Sequence, residues 1–271
     1  MTSSNQPPLP LAVTTSVRNH RELEPSARAF AEELGVPYMS RANRNMVQVF
    51  RDVDVERLLV VAENRLILRD RGGAEYSFHP NMVLVRAMNL EQGWRDIFVE
   101  ATGLGPGDSI LDCTIGFAAE ATLASLTVGP EGRVRGLESV PELAIVTREG
   151  VKSFPLKGKN LRAALQRIEV ISADHTDYLT AADADSFDIV YFDPFFEDRL
   201  PGSESSVSPL FHFGNASPLG LNAVIEAKRV ARRRVVIKHP KLEPLPEEIQ
   251  SLVTEDVTSR KSRVVYAVIE V

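Results

Sequence analysis

Four carboxylates recur at one kind of place in this chain of 271 residues, each ending or just following an apolar β-type run. They are Asp112 after the run at Ile110, Glu138 after Arg133–Leu137, Asp174 just past Ile168–Ser172, and Asp193 after Phe187–Phe192. Open α/β sheets bind ligands at the carboxyl ends of their strands, so these side chains would share one rim. Asp174 taken alone reads equally as a helix N-cap or a solvated strand end. The joint recurrence is what points to a ligand. So acidic a rim repels a phosphate-rich dinucleotide and accepts a cationic adenosine compound. Glu138, ending the second strand, is placed to accept hydrogen bonds from both hydroxyls of a ribose.

The stretch from Asp108 to Glu120 reads Asp-Ser-Ile-Leu-Asp-Cys-Thr-Ile-Gly-Phe-Ala-Ala-Glu. A strand ends at Asp112, the chain turns through Gly116, and a helix-forming segment starts at Ala118. Such a turn aims helix N-terminal amides and a carboxylate at one point, which suits a ligand carrying hydroxyls, a carboxylate or a phosphate. The full Gly-x-Gly-x-x-Gly of a dinucleotide site is absent. By itself the turn is compatible with any α/β domain.

The elements that must position these residues follow a strand–helix rhythm from Asp108 onward. Strands are predicted at Ile110–Asp112, Arg133–Glu138, Ile168–Ser172, Phe187–Asp193 and Arg234–Lys238. Helices fall between them at Ala119–Thr127, Pro141–Gly150, Lys159–Arg167 and Leu219–Ala231. Alternating short apolar strands and helices predict a mainly parallel sheet covered on both faces. The chain then departs from that rhythm with two β runs, Leu252–Val257 and Arg263–Val271, which predict a terminal antiparallel hairpin; Glu247–Gln250 is a possible short helix before them.

Before Asp108 the pattern is different. A β-prone run at Leu11–Ser16 precedes an amphipathic helix over Glu22–Leu34, stopped by Gly35 and Pro37. A short strand at Pro37–Ser40, a helix around Asn43–Arg51, a tight hairpin of Arg57–Ala62 and Arg65–Arg69 about Glu63-Asn64, and a strand at Tyr76–Phe78 complete a small α+β unit. A helical segment, Met82–Thr102, broken near Gly93, leads into the sheet. The expected division is residues 1–10 as a flexible tail, 11–80 as a small α+β N-terminal domain and 81–271 as the larger α/β domain. Arg18, Arg21, Arg41, Arg44, Arg69 and Arg71 lie in the small domain. Nearby acids nearly balance them, so they read either as a solvated surface or as a patch facing RNA. His79, at the entry to the following helix, reads as a backbone-satisfied residue or as a ligand contact.

Composition limits the classes. Hydrophobic content of 44% and charged content of 25% are those of a soluble globular protein. No run of about 18 uncharged apolar residues exists, so no membrane span is expected. The polar, Pro-rich Met1–Pro10 has no signal-peptide pattern, and the single cysteine, Cys113, admits no internal disulfide and reads as a small buried residue. A cytoplasmic location is expected. The formal charge of -6 gives no long-range attraction to nucleic acid but leaves room for a local basic patch.

Five β-α units closed by a β-hairpin, with an acid ending the second strand, resemble the class I S-adenosylmethionine-dependent methyltransferase fold. Asp193-Pro194-Phe195-Phe196 is similar to the Asp/Asn-Pro-Pro-Tyr/Phe loop of enzymes that methylate exocyclic amino groups of nucleobases. An aryl amine is a poor nucleophile because its lone pair is delocalised into the ring. A carboxylate and a backbone carbonyl that accept the amino hydrogens draw the nitrogen toward tetrahedral geometry, and an aromatic ring stacks on the base. The resemblance assigns these roles to Asp193, to the carbonyl of Pro194, and to Phe196 or Phe195.

The resemblance extends to the bacterial small-subunit ribosomal RNA guanine-N2 methyltransferases of the J family. The matching stretches are Asp112-Cys113-Thr114-Ile115-Gly116, Leu137-Glu138-Ser139, Tyr191-Phe192-Asp193-Pro194-Phe195-Phe196 and Val235-Val236-Ile237-Lys238-His239-Pro240. It implies a Rossmann-like seven-stranded sheet with a C-terminal antiparallel hairpin. It implies S-adenosyl-L-methionine as cofactor, held by Asp112, Thr114 and Gly116 in the turn, Ala119 and Glu120 at the helix start, Glu138 and Ser139, Asp174 and His175, and the shared Asp193. No metal and no membrane are implied, and the expected partner is ribosomal RNA or the small ribosomal subunit. The chain departs from the family where Gly-Leu-Gly-Arg-Asp has become Gly116-Phe117-Ala118-Ala119-Glu120, losing a glycine and an arginine, and where methionine has become Phe195. The N-terminal region looks closer to uncharacterised Gram-positive relatives. Lys238 reads as a strand-end charge or as a contact to RNA phosphate. A small-molecule methyltransferase, an NAD-dependent oxidoreductase and a noncatalytic RNA-binding protein remain the other classes.

Overall fold

The computed structural model describes residues 10–195, 208–260 and 262–271, without the side chains of residues 81, 82, 208, 209 and 211. The N-terminal region contains β1 (Leu11–Thr15), α1 (His20–Leu34), α2 (Met46–Val53), β2 (Arg57–Ala62), β3 (Arg65–Asp70) and β4 (Glu75–Tyr76). Two helices follow, α3 (Asn81–Glu91) and α4 (Ile97–Thr102). The remainder runs β5 (Ser109–Asp112), α5 (Ala119–Val128), β6 (Arg133–Glu138), α6 (Pro141–Ser153), α7 (Lys159–Gln166), β7 (Glu169–Ser172), α8 (His175–Ala181) and β8 (Phe187–Phe192). It closes with α9 (Ser208–Phe213), α10 (Leu221–Val230), β9 (Ala231–Pro240), α11 (Glu247–Gln250), β10 (Glu255–Val257) and β11 (Val264–Glu270).

The large sheet has the order β10-β11-β9-β8-β5-β6-β7. Strands β5 to β9 run parallel, and β11 lies antiparallel between β9 and β10, the expected terminal hairpin. Strand order reverses at β5, whose neighbours are β6 and β8. Loops leaving β5 and β8 therefore diverge and open a crevice at their carboxyl ends. Alternate residues feed two cores. Leu111, Val190 and Val235 pack with α8, α10 and α11 on one face, while Ile110, Ile189 and Val236 join α4, α5 and α6 on the other. Side chains of a strand point alternately to opposite faces, so runs buried on both faces must be apolar throughout.

The smaller sheet has the order β1-β2-β3-β4. Its Leu58 and Val60 pack with Val49 and Phe50 of α2, whereas Leu59, Val61 and Leu68 share a core with α1 and α6. Arg57 and Glu142 pair at 2.9 Å between the two regions, and Arg148 pairs with Glu33 at 2.5 Å. Helix α2 opens on a capping box in which Asn45 and Gln48 satisfy each other's backbone amides. The predicted strand at Pro37–Ser40 is reduced to a single parallel bridge between Tyr38 and Val13. The strand expected at Tyr76–Phe78 is displaced to Glu75–Tyr76, because Phe78 turns into the core against α6. Helices α8 and α9 were not anticipated. Both are short, at 7 and 6 residues, so their apolar periodicity is too brief to read.

Candidate active site

The carboxyl ends of β5, β6 and β8 bring the predicted acids onto one rim. Asp112 ends β5 and is 2% exposed. Its Oδ1 accepts from the Thr114 amide at 3.0 Å, and the Thr114 hydroxyl in turn accepts from the Asp193 amide at 2.6 Å. The loops after β5 and β8 are thus tied together across the crevice. The same turn binds β6, where the Ile115 amide donates to Leu137 O at 3.1 Å. Gly136 permits this approach, since a Cβ there would lie 2.2 Å from Ile115 Cδ1. Helix α5 begins after Ala118, which stands at φ 56 in the left-handed region. An alanine in that region costs about 1 kcal/mol or more.

Behind the rim lies a chain of partly buried charges around the buried Glu120. Lys238 on β9 donates to Asp193 Oδ2 at 2.7 Å and to Glu120 Oε1 at 3.3 Å. Arg86 on α3 donates to Glu120 Oε1 at 2.9 Å and grips Asp96 with two bonds at 2.9 and 3.0 Å. Burial acts to raise the Glu120 pKa, but Lys238 and Arg86 together outweigh it and hold the carboxyl at about 2. Asp193 moves the other way, since burial raises it and Lys238 opposes only in part. Asp112 is pushed up to about 8, chiefly by burial and further by the Glu120 and Asp193 charges. Glu138 is pushed up to about 7 by burial, against bonds from the Val140 and Ser139 amides.

A carboxyl whose folded pKa lies above its unfolded value contributes stability below the unfolded pKa and loses it as pH rises through the folded one. Asp112 therefore makes the fold less stable between pH 3.8 and about 8. Asp112→Asn, which keeps the acceptor for Thr114, is expected to gain on the wild-type protein steadily over this range. Urea unfolding at acid and at mildly alkaline pH measures it; parallel curves for the two proteins would contradict the assignment.

The structure distributes the predicted residues unevenly. Asp112, Thr114, Glu120 and Asp193 join one bonded network. Glu138 accepts from the Val140 amide at 3.0 Å, and Ser139 follows it at the end of β6. Asp174 is the N-cap of α8, accepting from the Thr176 amide at 2.8 Å, so its local role is the capping one. His175 lies edge-on to Phe192 at 5.7 Å, and burial lowers its pKa. Phe195 sits beside α9, with ring atom Cε2 3.0 Å from where a Gly214 Cβ would stand. Phe196 lies outside the described residues.

Lys238 and Arg86 were missed as site residues. Lys238 is no free strand-end charge, being 21% exposed and bonded to two carboxylates. Its place on the strand beside the one carrying Asp193 could have been read from the strand order alone. Arg86 carries no such signal, because α3 reaches Glu120 only through tertiary packing. His79 stacks on Phe117 at 4.3 Å, which stacks on Tyr76 at 5.0 Å, joining the small sheet to the turn after β5. Cys113 is buried and its thiol pushed well above the usual range, as expected of an inert residue.

No family model matches the chain. The small-subunit ribosomal RNA methyltransferase J of Dechloromonas aromatica is 27% identical over 161 residues, 56% of this chain and 62% of that protein. Among solved structures, a SAM-dependent methyltransferase of Neisseria gonorrhoeae superposes with a TM-score of 0.60 at 16% identity, covering 96% of this chain and 95% of that one. The uncharacterised protein YpiP of Bacillus subtilis (strain 168) is 34% identical over 226 residues, 83% of this chain and 87% of its own. Sheet order, terminal hairpin and these likenesses agree: the chain belongs to the family of YpiP and has the class I S-adenosylmethionine-dependent methyltransferase fold.

Proposed function

We propose that the protein transfers a methyl group from S-adenosyl-L-methionine to an exocyclic amino group of a nucleobase, guanine N2 of small-subunit ribosomal RNA. The observation that carries this reading is the convergence of Asp112, Glu120 and Asp193 at the crevice between β5 and β8, with Asp193 followed by Pro194 and an aromatic residue. The similarity to the J methyltransferase of Dechloromonas aromatica supports the choice of ribosomal RNA. The site also fits the cofactor by the chemistry of its groups. Its acids suit a sulfonium cation, Glu138 and Ser139 suit ribose hydroxyls, and the amides at Ala119 and Glu120 suit the methionine carboxylate. Asp174 and His175, at the start of α8, would hold the cofactor with them.

The cofactor, when bound, supplies a methyl group on a positively charged sulfur. The chain supplies the rest. Lys238 occupies one oxygen of Asp193 and leaves the other to accept an amino hydrogen, while the Pro194 carbonyl accepts the second. As the nitrogen takes the methyl group it gives up a proton, for which the Asp193 carboxylate is the nearest base. Phe196 or Phe195 provides the aromatic ring on which the base stacks.

Glu138→Ala is expected to weaken cofactor binding about 10- to 100-fold, the loss of two hydrogen bonds to a charged acceptor. Calorimetric titration with S-adenosylhomocysteine measures this, and unchanged affinity would remove Glu138 from the ribose site. The reading as a whole is tested by incubating labelled S-adenosylmethionine with ribosomal RNA and small subunits from cells lacking this protein. Label mapping to a guanine N2 is the expected result. Cofactor binding without transfer to RNA, or transfer to small metabolites instead, would overturn the substrate.

A further inference from the structure

The small α+β region contains one arginine unlike its neighbours. Arg44 donates to Ser40 O and pairs with Asp52, and Arg71 reaches Val55 O, Asp54 and Glu56. These are the surface cations balanced by acids that the sequence suggests. Arg41 is only 7% exposed. Its Nη1 has Met46 Sδ at 3.3 Å, a weak acceptor, and its Nε is buried without a partner. Among the described residues no carboxylate lies within ion-pair distance of it. The charged group that acts on it is the guanidinium of Arg69, a like charge, and burial followed by Arg69 lowers its pKa.

Arg69 itself sits on β3 on the same face as Ile67, the face covered by α2. One of its outer nitrogens meets Glu75, but its Nε is also buried and unpartnered. Each of the two guanidiniums has a buried N–H without a partner, and the like charge of Arg69 acts on Arg41, so the two oppose folding and gain nothing from each other. Such an arrangement is what a site for a doubly coordinated anion looks like before the anion arrives, because the planar fork of arginine matches phosphate oxygens. The next residue on the strand, Asp70, holds His212 of α9 at 2.6 Å, and α9 follows the Asp193 loop. Strand β3 thus links the pair to the substrate side. A chain of net charge -6 must hold RNA through such local cations.

We propose that Arg41 and Arg69 form a binding site for a backbone phosphate of the RNA substrate, on the α2-covered face of the small sheet. This rests on the reading of RNA as substrate.

The test uses the full chain, saturated with S-adenosylhomocysteine, and a short fluorescent single-stranded RNA titrated at several salt concentrations. Arg41→Met is expected to weaken RNA binding about tenfold and to reduce the slope of log affinity against log salt by about 0.7, one phosphate contact. Cofactor affinity should be unchanged, and the urea midpoint equal to or above that of the wild type, since an unpaired buried cation is removed. Arg69→Gln, on a side chain 33% exposed, gives the same readout should the buried substitution fail to fold. Variants that bind RNA with the wild-type affinity and slope would overturn the site, as would a lowered urea midpoint with an unchanged slope, which marks a structural arginine. Absence of RNA binding in the wild type would instead overturn the RNA reading and this site with it. That failure is distinguished because it shows before any substitution is made.

Discussion

Asp193→Ala is expected to lower methyl transfer by about 10³-fold or more while the protein stays folded. Two losses combine. The amine loses the acceptor that draws its nitrogen out of conjugation, and the proton it releases loses its base, a contribution of about 10²- to 10⁴-fold by itself. The fold survives because Lys238 keeps its bond to Glu120 at 3.3 Å, so no buried cation is left without a partner. Asp193→Asn separates the two roles, since an amide oxygen still accepts a hydrogen bond but takes no proton. Single-turnover transfer to RNA, with circular dichroism and cofactor titration on the same samples, measures the effect. Activity near that of the wild type in the alanine variant would remove Asp193 from the reaction.

Lys238→Met is expected to change the pH at which the reaction runs. The groups facing Asp193 are Lys238 on β9, Glu120 on α5, Arg86 on α3, Asp112 and Thr114 around the end of β5, Tyr191 on β8 and Tyr266 on β11. Burial is the largest influence on Asp193 and raises its pKa, and Glu120 adds to this; Lys238 is the strongest counterweight. Without the ammonium the Asp193 pKa must climb further. Transfer needs the carboxylate ionised, so the acidic limb of the rate profile moves to higher pH, activity at neutral pH falls, and it returns as pH is raised. A fall of about tenfold accompanies each pH unit by which the limb moves past the assay pH. Lys238→Arg, which keeps the charge, should restore the limb toward its original position. A limb that stays in place in the methionine variant, with only a uniform loss of rate, would make Lys238 a packing residue. Removing one member of this partly buried charge network also destabilises the fold. That loss is largest at high pH, where Glu120 and Asp193 both remain ionised.

The two variants read different parts of one device. A carboxylate that accepts protons must be ionised at working pH, yet the dry crevice that suits a dispersing sulfonium charge favours its neutral form. Lys238 offsets the conflict in part for Asp193. Asp112, without a cation bonded to it, is left with a pKa near 8. Both carboxyls are raised by burial, and what stands beside each one decides how far.

Sequence alone determined the parts whose physical cause is local or periodic. Apolar runs alternating with helices specify a parallel sheet, and the two last runs with a polar connection specify the hairpin of β10 and β11. Strand-end acids at Asp112, Glu138 and Asp193 were legible because strands terminate where an apolar run meets a carboxylate. Helices α8 and α9 were not, because too few residues repeat for a period to show, and the strand read at Pro37–Ser40 proved to be one bridge at Tyr38. What tertiary structure decided is which charges meet. Glu120 and Arg86 are 34 residues apart, and Lys238 and Asp193 are 45 apart. Nothing in either local sequence tells whether such a charge faces water or a partner. That choice depends on strand order and on helix packing across the sheet, and burial turns it into a change in protonation. For the same reason Arg41 looked like its neighbours in the sequence and differs from them in the fold, where α2 and β3 close over it and supply no acid.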